Sequence, residues 1–96
     1  MTPDSRPHVS IIRAIKLLPR EEQQFQTRVG AEILDIRMPF LYIREWLDDP
    51  PIIRRIRIIQ EDTEIQDLSS SASYIGHYMM TDSGLVYHVF DEGEET

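Results

Sequence analysis

Apolar and polar residues alternate along much of this chain, and that period predicts β-strands. The clearest example is the stretch 73–90, where tyrosine, isoleucine, valine and phenylalanine lie on both sides of the sequence TDSG at 81–84. Such residues around an Asp/Ser/Gly turn are typical of a β-hairpin. We therefore predict a C-terminal hairpin with strands at 73–80 and 85–90.

Five earlier segments are similarly rich in apolar residues, and each stops at proline, glycine or a polar run. They are 11–18, 25–29, 31–38, 40–47 and 52–59. The first is also compatible with a short helix, because so short a run does not fix its period. Several of these segments carry large apolar side chains on both faces. This pattern predicts a mostly β fold, with β-rich α+β as the alternative, in which an antiparallel meander forms a compact barrel or a two-layer sheet.

Length and composition indicate one small domain. The chain has 96 residues and no cysteine, so its core must hold the fold without disulfides. We expect a flexible arm at 1–8, a single globular β-rich domain at 9–91 and a mobile acidic tail at 92–96. The sequence shows neither a signal peptide nor an apolar run of the roughly 20 residues that a membrane-spanning helix needs. These features predict a soluble protein of the cytoplasm.

Charge divides the chain sharply. All ten basic residues lie within 1–57 against eight acids, whereas 58–96 holds nine acids and no lysine or arginine. The formal charges of about +2 and −9 sum to the net −7. We therefore expect a surface that attracts basic partners and repels free nucleic acid. Its predicted acidic contacts are Glu61, Asp62, Glu64 and Asp67.

Aromatic residues supply a second candidate surface. Alternation places Phe40, Tyr42 and Trp46 on one face of the segment 40–47. Tyrosine and tryptophan are enriched among the side chains that dominate binding energy at protein interfaces. If the face is exposed, a partner or a second copy of the chain should cover it. Tyr42 and Trp46 are therefore candidate partner-binding residues, and a homodimer is one form of that contact.

Three arginines lie close together at 54, 55 and 57. Such a cluster resembles a phosphate-contact patch, but alternation sends Arg54 to one face and both Arg55 and Arg57 to the other. We expect these side chains to pair with nearby acids instead. The candidate acids are Asp48, Asp49, Glu61 and Asp62.

Two histidines face each other if the C-terminal turn is symmetric. The register then places His77 opposite His88 and Ile75 opposite Phe90. A packed cross-strand pair is the favoured interpretation, and a metal site is disfavoured because no third histidine or cysteine has a fixed position nearby. As an alternative, Arg55 and Arg57 together with the two histidines would hold a phosphate or nucleotide.

No catalytic signature accompanies these features. The chain lacks a glycine-flanked serine, a phosphate-binding glycine loop and any metal-binding fingerprint. Its adjacent carboxylates fall in predicted loops or in the tail, where water solvates both members of each pair, whereas a catalytic acid–base pair needs one desolvated member. The sequence therefore predicts a non-enzymatic protein without a cofactor or a metal.

Short motifs resemble a known family. They are GAEILDI at 30–36, YIG at 74–76 and GLVYHVF at 84–90, together with an aromatic-centred strand at Trp46 that is followed by LDDPP at 47–51. The chain is similar over roughly 11–91 to a family of small β-rich domains, without an assigned activity, that occurs in bacteriophages and bacterial mobile elements. The resemblance implies a phage context and a compact β-rich fold, and it transfers no site residue.

These observations favour a non-enzymatic, phage-encoded acidic protein that engages a basic host or phage protein. One form would be an inhibitor of a bacterial defence or transcription complex. The alternatives are the phosphate or nucleotide binder described above and a minor structural protein of a virion. No membrane association and no direct binding of nucleic acid are expected.

Overall fold

Seven antiparallel strands make up the fold in the computed structural model, which describes residues 9–95. They are β1 (Ser10–Lys16), β2 (Glu22–Arg28), β3 (Glu32–Arg37), β4 (Phe40–Trp46), β5 (Pro51–Gln60), β6 (Ser73–Met79) and β7 (Val86–Glu94). The predicted mostly β class is confirmed, and the segment 11–18 forms a strand rather than a helix. Residues 9–95 contain no helix with the length and apolar character needed to cross a membrane. The predicted arm at 1–8 lies outside the described residues.

The strands form two sheets and do not close into a barrel. One sheet has the order β1-β4-β3 (sheet A), and the other has the order β2-β5-β7-β6 (sheet B). All strand pairs are antiparallel. Of the two predicted architectures, the two-layer sheet is therefore the one that forms.

The core lies between the sheets. Leu41 and Ile43 of β4 meet Ile56 of β5 and Val89 of β7, and all four side chains are fully buried. In β4 the buried residues alternate with exposed or half-buried ones, as expected for a strand with one face in the core. Alternation in β4 and β5 thus determines which side chains fill the space between the layers.

The predicted C-terminal hairpin is formed by β6 and β7. His77 pairs with His88 and Tyr78 pairs with Tyr87, as the symmetric turn predicts. The predicted pairing of Ile75 with Phe90 is wrong, because the register shifts between Tyr74 and Gly76 and Tyr74 takes the place opposite Phe90. This bulge leaves Ile75 unpaired in the ladder and packed against the core.

A second bulge changes the predicted faces of β3. Strict alternation along the predicted strand 31–38 would place Leu34 and Ile36 on one face, but the register shifts between Ile33 and Asp35. Ile33 and Ile36 consequently pack against the core, whereas Leu34 is exposed. An extra residue in one strand reverses the alternation beyond it, so period-two reasoning fails at this point.

The last strand extends into the segment predicted as a tail. β7 continues to Glu94, and the amide of Glu95 donates a hydrogen bond to the Ile53 carbonyl at 2.8 Å. The prediction of a mobile tail is therefore wrong for 92–94. Acidic side chains in this segment do not repel the chain into solvent, because Arg54 of the neighbouring strand pairs with Asp91 and Glu94.

Candidate functional site

The loop that follows β5 carries the four acids singled out in the sequence. Glu61, Asp62, Glu64 and Asp67 are all exposed. Within residues 9–95, no lysine or arginine lies within salt-bridge distance of Asp62, Glu64 or Asp67. We call residues 61–67 the acidic loop. Its carboxylates form the local negative patch that the charge division predicts.

Two contacts hold the acidic loop on sheet B. The guanidinium of Arg57 donates hydrogen bonds to the carbonyls of Gln66 and Asp67 at 2.8 and 3.3 Å. At the start of the loop, the Glu61 carboxylate lies 3.0 Å from Nε2 of His88. These contacts fix both ends of the loop while leaving Asp62 and Glu64 exposed to solvent.

The β5 arginines do not pair with the acids that the sequence suggested. Arg54 is buried and contacts Asp91 at 2.5 Å and Glu94 at 3.2 Å. Arg57 is also buried, with Glu21 at 3.0 Å. The expected partners were close in sequence, but strand pairing brings distant acids closer in space. None of the four candidate acids pairs with a β5 arginine among the described residues.

This pairing reduces the negative charge of the C-terminal half. Arg54 offsets one of the two negative charges of Asp91 and Glu94, and Glu92 lies 3.9 Å from Arg57. The acids of β7 are therefore partly compensated by the two buried arginines. Asp62, Glu64 and Asp67 of the acidic loop form no such pair within residues 9–95.

A cleft of about 370 Å³ opens beside the acidic loop. Sheet A contributes Leu18 and Met38 at the ends of its strands, and Thr63 and Glu64 come from the acidic loop. The wall from sheet B contains Tyr78 and Tyr87 of the hairpin, together with Met80. The cleft therefore combines apolar side chains with polar ones, including Arg20, Glu21 and Gln60, and it is acidic where the loop reaches its rim.

The two tyrosines of the cleft stack on each other. Their ring centroids are 5.5 Å apart and the planes are inclined by 25°. Burial raises the pKa of Tyr78, and the neighbouring Tyr87 raises it further. Tyr78 is therefore neutral at physiological pH and presents an aromatic surface with a hydroxyl at its edge.

The histidine pair belongs to a hydrogen-bonded chain on the outer face of sheet B. The Tyr74 hydroxyl lies 2.7 Å from Nδ1 of His88 and 3.4 Å from Nδ1 of His77. Because the Glu61 carboxylate only accepts, Nε2 of a neutral His88 carries the hydrogen and its Nδ1 accepts from Tyr74. No group of three His, Cys, Asp or Glu side chains within 9–95 is arranged to hold a metal ion.

The alternative phosphate site is not assembled. Arg57 is engaged by Glu21 and by the carbonyls of the acidic loop, so its guanidinium does not face a ligand. Arg55 is exposed and lies four residues before Ile59, the residue that pairs with His88. At ~3.3 Å per residue, that spacing is roughly 13 Å along the strand. The structure thus joins His77 and His88 but does not bring Arg55 or Arg57 to them.

The predicted aromatic face forms, but apart from the acidic loop. Phe40 is exposed, whereas Tyr42 and Trp46 are half-buried, and Arg44 lies 4.8 Å from the Trp46 ring centre. This face is the outer surface of sheet A. Trp46 lies at the end of the molecule where β5 begins, and the acidic loop follows the other end of β5. The aromatic and acidic candidates therefore occupy separate surfaces.

Sequence reasoning missed the cleft and the role of Tyr74. Both depend on segments far apart in the chain that come together in the fold, such as those that contain Leu18 and Tyr87 of the cleft. No local signal indicated Tyr74, because alternation alone places it on the opposite face of the strand from His77, and the bulge between Tyr74 and Gly76 brings it to His88. No local motif marks the cleft.

Comparison with known proteins assigns the chain to a family. No curated protein and no solved structure matches the chain significantly. A family model described as a domain of unknown function, DUF7352, matches residues 10–96. This span includes all seven strands, the acidic loop and the cleft. The chain therefore belongs to the DUF7352 family.

Proposed function

We propose that this protein is a non-enzymatic binding protein whose acidic loop engages a basic surface of a partner protein. One observation supports the proposal above all. Asp62, Glu64 and Asp67 are exposed within six residues, and no lysine or arginine of residues 9–95 compensates them. Uncompensated carboxylates on one loop attract a cationic surface and accelerate its association.

The placement of the basic residues strengthens this proposal. Arg54 and Arg57 pair with Asp91, Glu94 and Glu21, so neither forms an ion pair with Asp62, Glu64 or Asp67. Buried pairs are screened little by salt, whereas exposed carboxylates are screened strongly. Binding through the acidic loop should therefore weaken as the salt concentration rises, although the fold itself tolerates salt.

The finer form of the proposal concerns origin and target. The chain would be phage-encoded and would act in the host cytoplasm, where its carboxylates would occupy a basic channel that normally holds nucleic acid. A defence or transcription complex is a target of this kind. The resemblance of residues 11–91 to a phage-associated family supports the origin, and the net charge of −7 supports competition with phosphate groups.

The test compares two variants of equal charge. The loop variant Asp62→Asn/Glu64→Gln/Asp67→Asn removes three carboxylates, and asparagine tolerates the positive φ of Asp62 and Asp67. The control variant Glu32→Gln/Asp48→Asn/Asp82→Asn removes three exposed carboxylates elsewhere. Proteins recovered from host lysate by each immobilised variant are quantified by mass spectrometry at low and at high salt.

We expect wild type and the control variant to recover the same basic proteins at low salt and to lose them at high salt. The loop variant should recover these basic proteins neither at low salt nor at high salt. Addition of double-stranded DNA should displace a partner that handles nucleic acid. Equal recovery by the two variants, or recovery insensitive to salt, would contradict the proposal.

A further inference from the structure

The cleft beside the acidic loop suggests which segment of a basic partner is recognised. We propose that it receives a large apolar side chain flanked by lysine or arginine in the partner, an inference that rests on the proposed function. Thr63 and Glu64 belong to both the acidic loop and the lining of the cleft. A segment held by the loop therefore lies directly over an apolar recess.

The lining contains apolar side chains that are exposed to solvent. Leu18 and Met38 are 44% and 40% exposed although both line the cleft, and Met80 lies with them. Apolar side chains that remain in water gain free energy when a partner covers them. Methionine side chains are flexible and polarisable, so they adapt to anchors of different shape. The stacked rings of Tyr78 and Tyr87 provide the rigid part of the wall.

The volume of the cleft and the charge of its lining limit which kind of side chain or ligand it can bind. About 370 Å³ lies in the range of ligand pockets and admits a leucine, methionine or aromatic side chain. Glu64 of the lining is uncompensated by any lysine or arginine within 9–95, whereas Glu21 is tied to Arg57. Arg20 is the single basic residue among the described residues of the lining. The exposed loop acids next to the cleft therefore favour a cationic segment over a phosphate-bearing ligand.

Three fluorescein-labelled peptides of equal length distinguish the contribution of the basic residues to affinity from that of the central apolar residues. The first carries lysines and arginines around a central leucine and tryptophan. The second keeps the basic residues but has serine at both central positions. The third keeps leucine and tryptophan but has glutamine in place of every basic residue. Affinities are measured by fluorescence anisotropy, with ATP as a competitor that represents phosphate ligands.

Two variants of unchanged charge test the cleft itself. Leu18→Gln/Met38→Gln makes the lining polar at two exposed positions, so the fold should persist. Ile12→Gln/Leu34→Gln makes the same change at two exposed residues that lie outside the lining. Circular dichroism and urea unfolding verify that both variants fold as wild type does.

Methionine methyl groups report the location of binding. Met38 and Met80 line the cleft, whereas Met79 is exposed and points to the opposite face of β6. In protein labelled with ¹³C at the methionine methyl groups, the anchored basic peptide should shift the signals of Met38 and Met80. The signal of Met79 should not move.

We expect wild type to bind the anchored basic peptide about tenfold or more tightly than the serine peptide, since burial of one large apolar side chain is worth at least that factor. The cleft variant should lose this difference, and the control variant should keep it. Equal binding of the anchored and serine peptides would overturn the cleft inference and leave the proposed function intact. Failure of both basic peptides to bind would overturn both proposals. Tight binding of the glutamine peptide, or displacement by ATP, would overturn the cationic class of the occupant.

Discussion

Three arginines of a single strand show how strongly the environment of a residue depends on its position in the fold. Arg54 and Arg57 are buried, at 7% and 2% exposure, whereas Arg55 between them is exposed. Arg54 faces the turn before β3 and donates to the Ala31 carbonyl at 3.0 Å. Arg57 is covered by the acidic loop. Similar side chains in one strand therefore make very different contributions to stability.

We predict that alanine substitutions of the three arginines lower the free energy of unfolding by different amounts. Arg54→Ala should lower the free energy of unfolding by about 3–5 kcal/mol, because it leaves the half-buried carboxylates of Asp91 and Glu94 without a cation. Arg57→Ala should cost about 2 kcal/mol, because it removes the hydrogen bonds to the Gln66 and Asp67 carbonyls, and it should release the acidic loop. Arg55→Ala is the matched control and should change stability by less than about 0.5 kcal/mol.

Urea unfolding followed by the fluorescence of Trp46, the single tryptophan, measures these values. If Arg54→Ala does not fold, Arg54→Lys serves in its place. It keeps the charge but loses the second arm of the guanidinium, so a smaller loss is expected. Equal losses at positions 54 and 55 would show that the buried ion pairs do not stabilise the fold.

At the scale of elements, the end of β7 connects β5 to the turn between β2 and β3. The Glu94 carboxylate lies 3.2 Å from Arg54 and accepts a hydrogen bond from the Gly30 amide at 2.7 Å. Gly30 has a φ of 76°, which glycine adopts without strain, so the turn between β2 and β3 can present this amide. One acidic residue near the C-terminus thereby links β7 to a turn and to β5.

Truncation after Asp91 tests this role. We expect the free energy of unfolding to fall by about 2–4 kcal/mol, because the truncation removes the Glu94 contacts and the backbone hydrogen bond from Glu95 to Ile53. Glu95→Gln changes an exposed side chain in the same segment and should have no measurable effect. A truncated protein as stable as wild type would indicate a mobile tail after all.

The strands were predictable from sequence to the extent that alternation is a local property. The hairpin and the pairing of His77 with His88 follow from the turn composition and the period of two. The bulges of β3 and β6 escaped prediction, because a bulge depends on the packing between sheets rather than on local sequence. At Gly76, for example, an added Cβ would lie 3.2 Å from Cγ2 of Ile36 in the other sheet.

The candidate site was predictable in its charge but not in its shape. The acids of the loop were evident because no lysine or arginine follows Arg57. The cleft was not, since it is formed where the ends of β1 and β4 meet the hairpin. The burial of Glu45 was also not predictable from the sequence. This residue is 3% exposed and is bound by Arg13 and by the Arg28 amide, and no sequence spacing indicates these partners.

For the whole molecule, the two candidate surfaces lie far apart. Trp46 precedes the start of β5, and the acidic loop follows its end. β5 has ten residues, so at ~3.3 Å per residue the two sites are about 30 Å apart along the strand. This distance exceeds the Debye length of about 8–10 Å at physiological salt. A short basic segment bound at the acidic loop therefore does not reach the aromatic face.

We predict that the two surfaces act independently. Tyr42→Thr/Trp46→Thr keeps strand propensity on the aromatic face, and its affinity for the anchored basic peptide should stay within about twofold of wild type. The loop variant Asp62→Asn/Glu64→Gln/Asp67→Asn should lose most of that affinity. Combining all five substitutions should weaken binding no further than the loop variant does, because sites this far apart contribute additively. Anisotropy gives the affinities, and circular dichroism verifies folding where Trp46 is absent. A clear loss of affinity in the aromatic variant alone would mean that one continuous surface joins the two ends of the molecule.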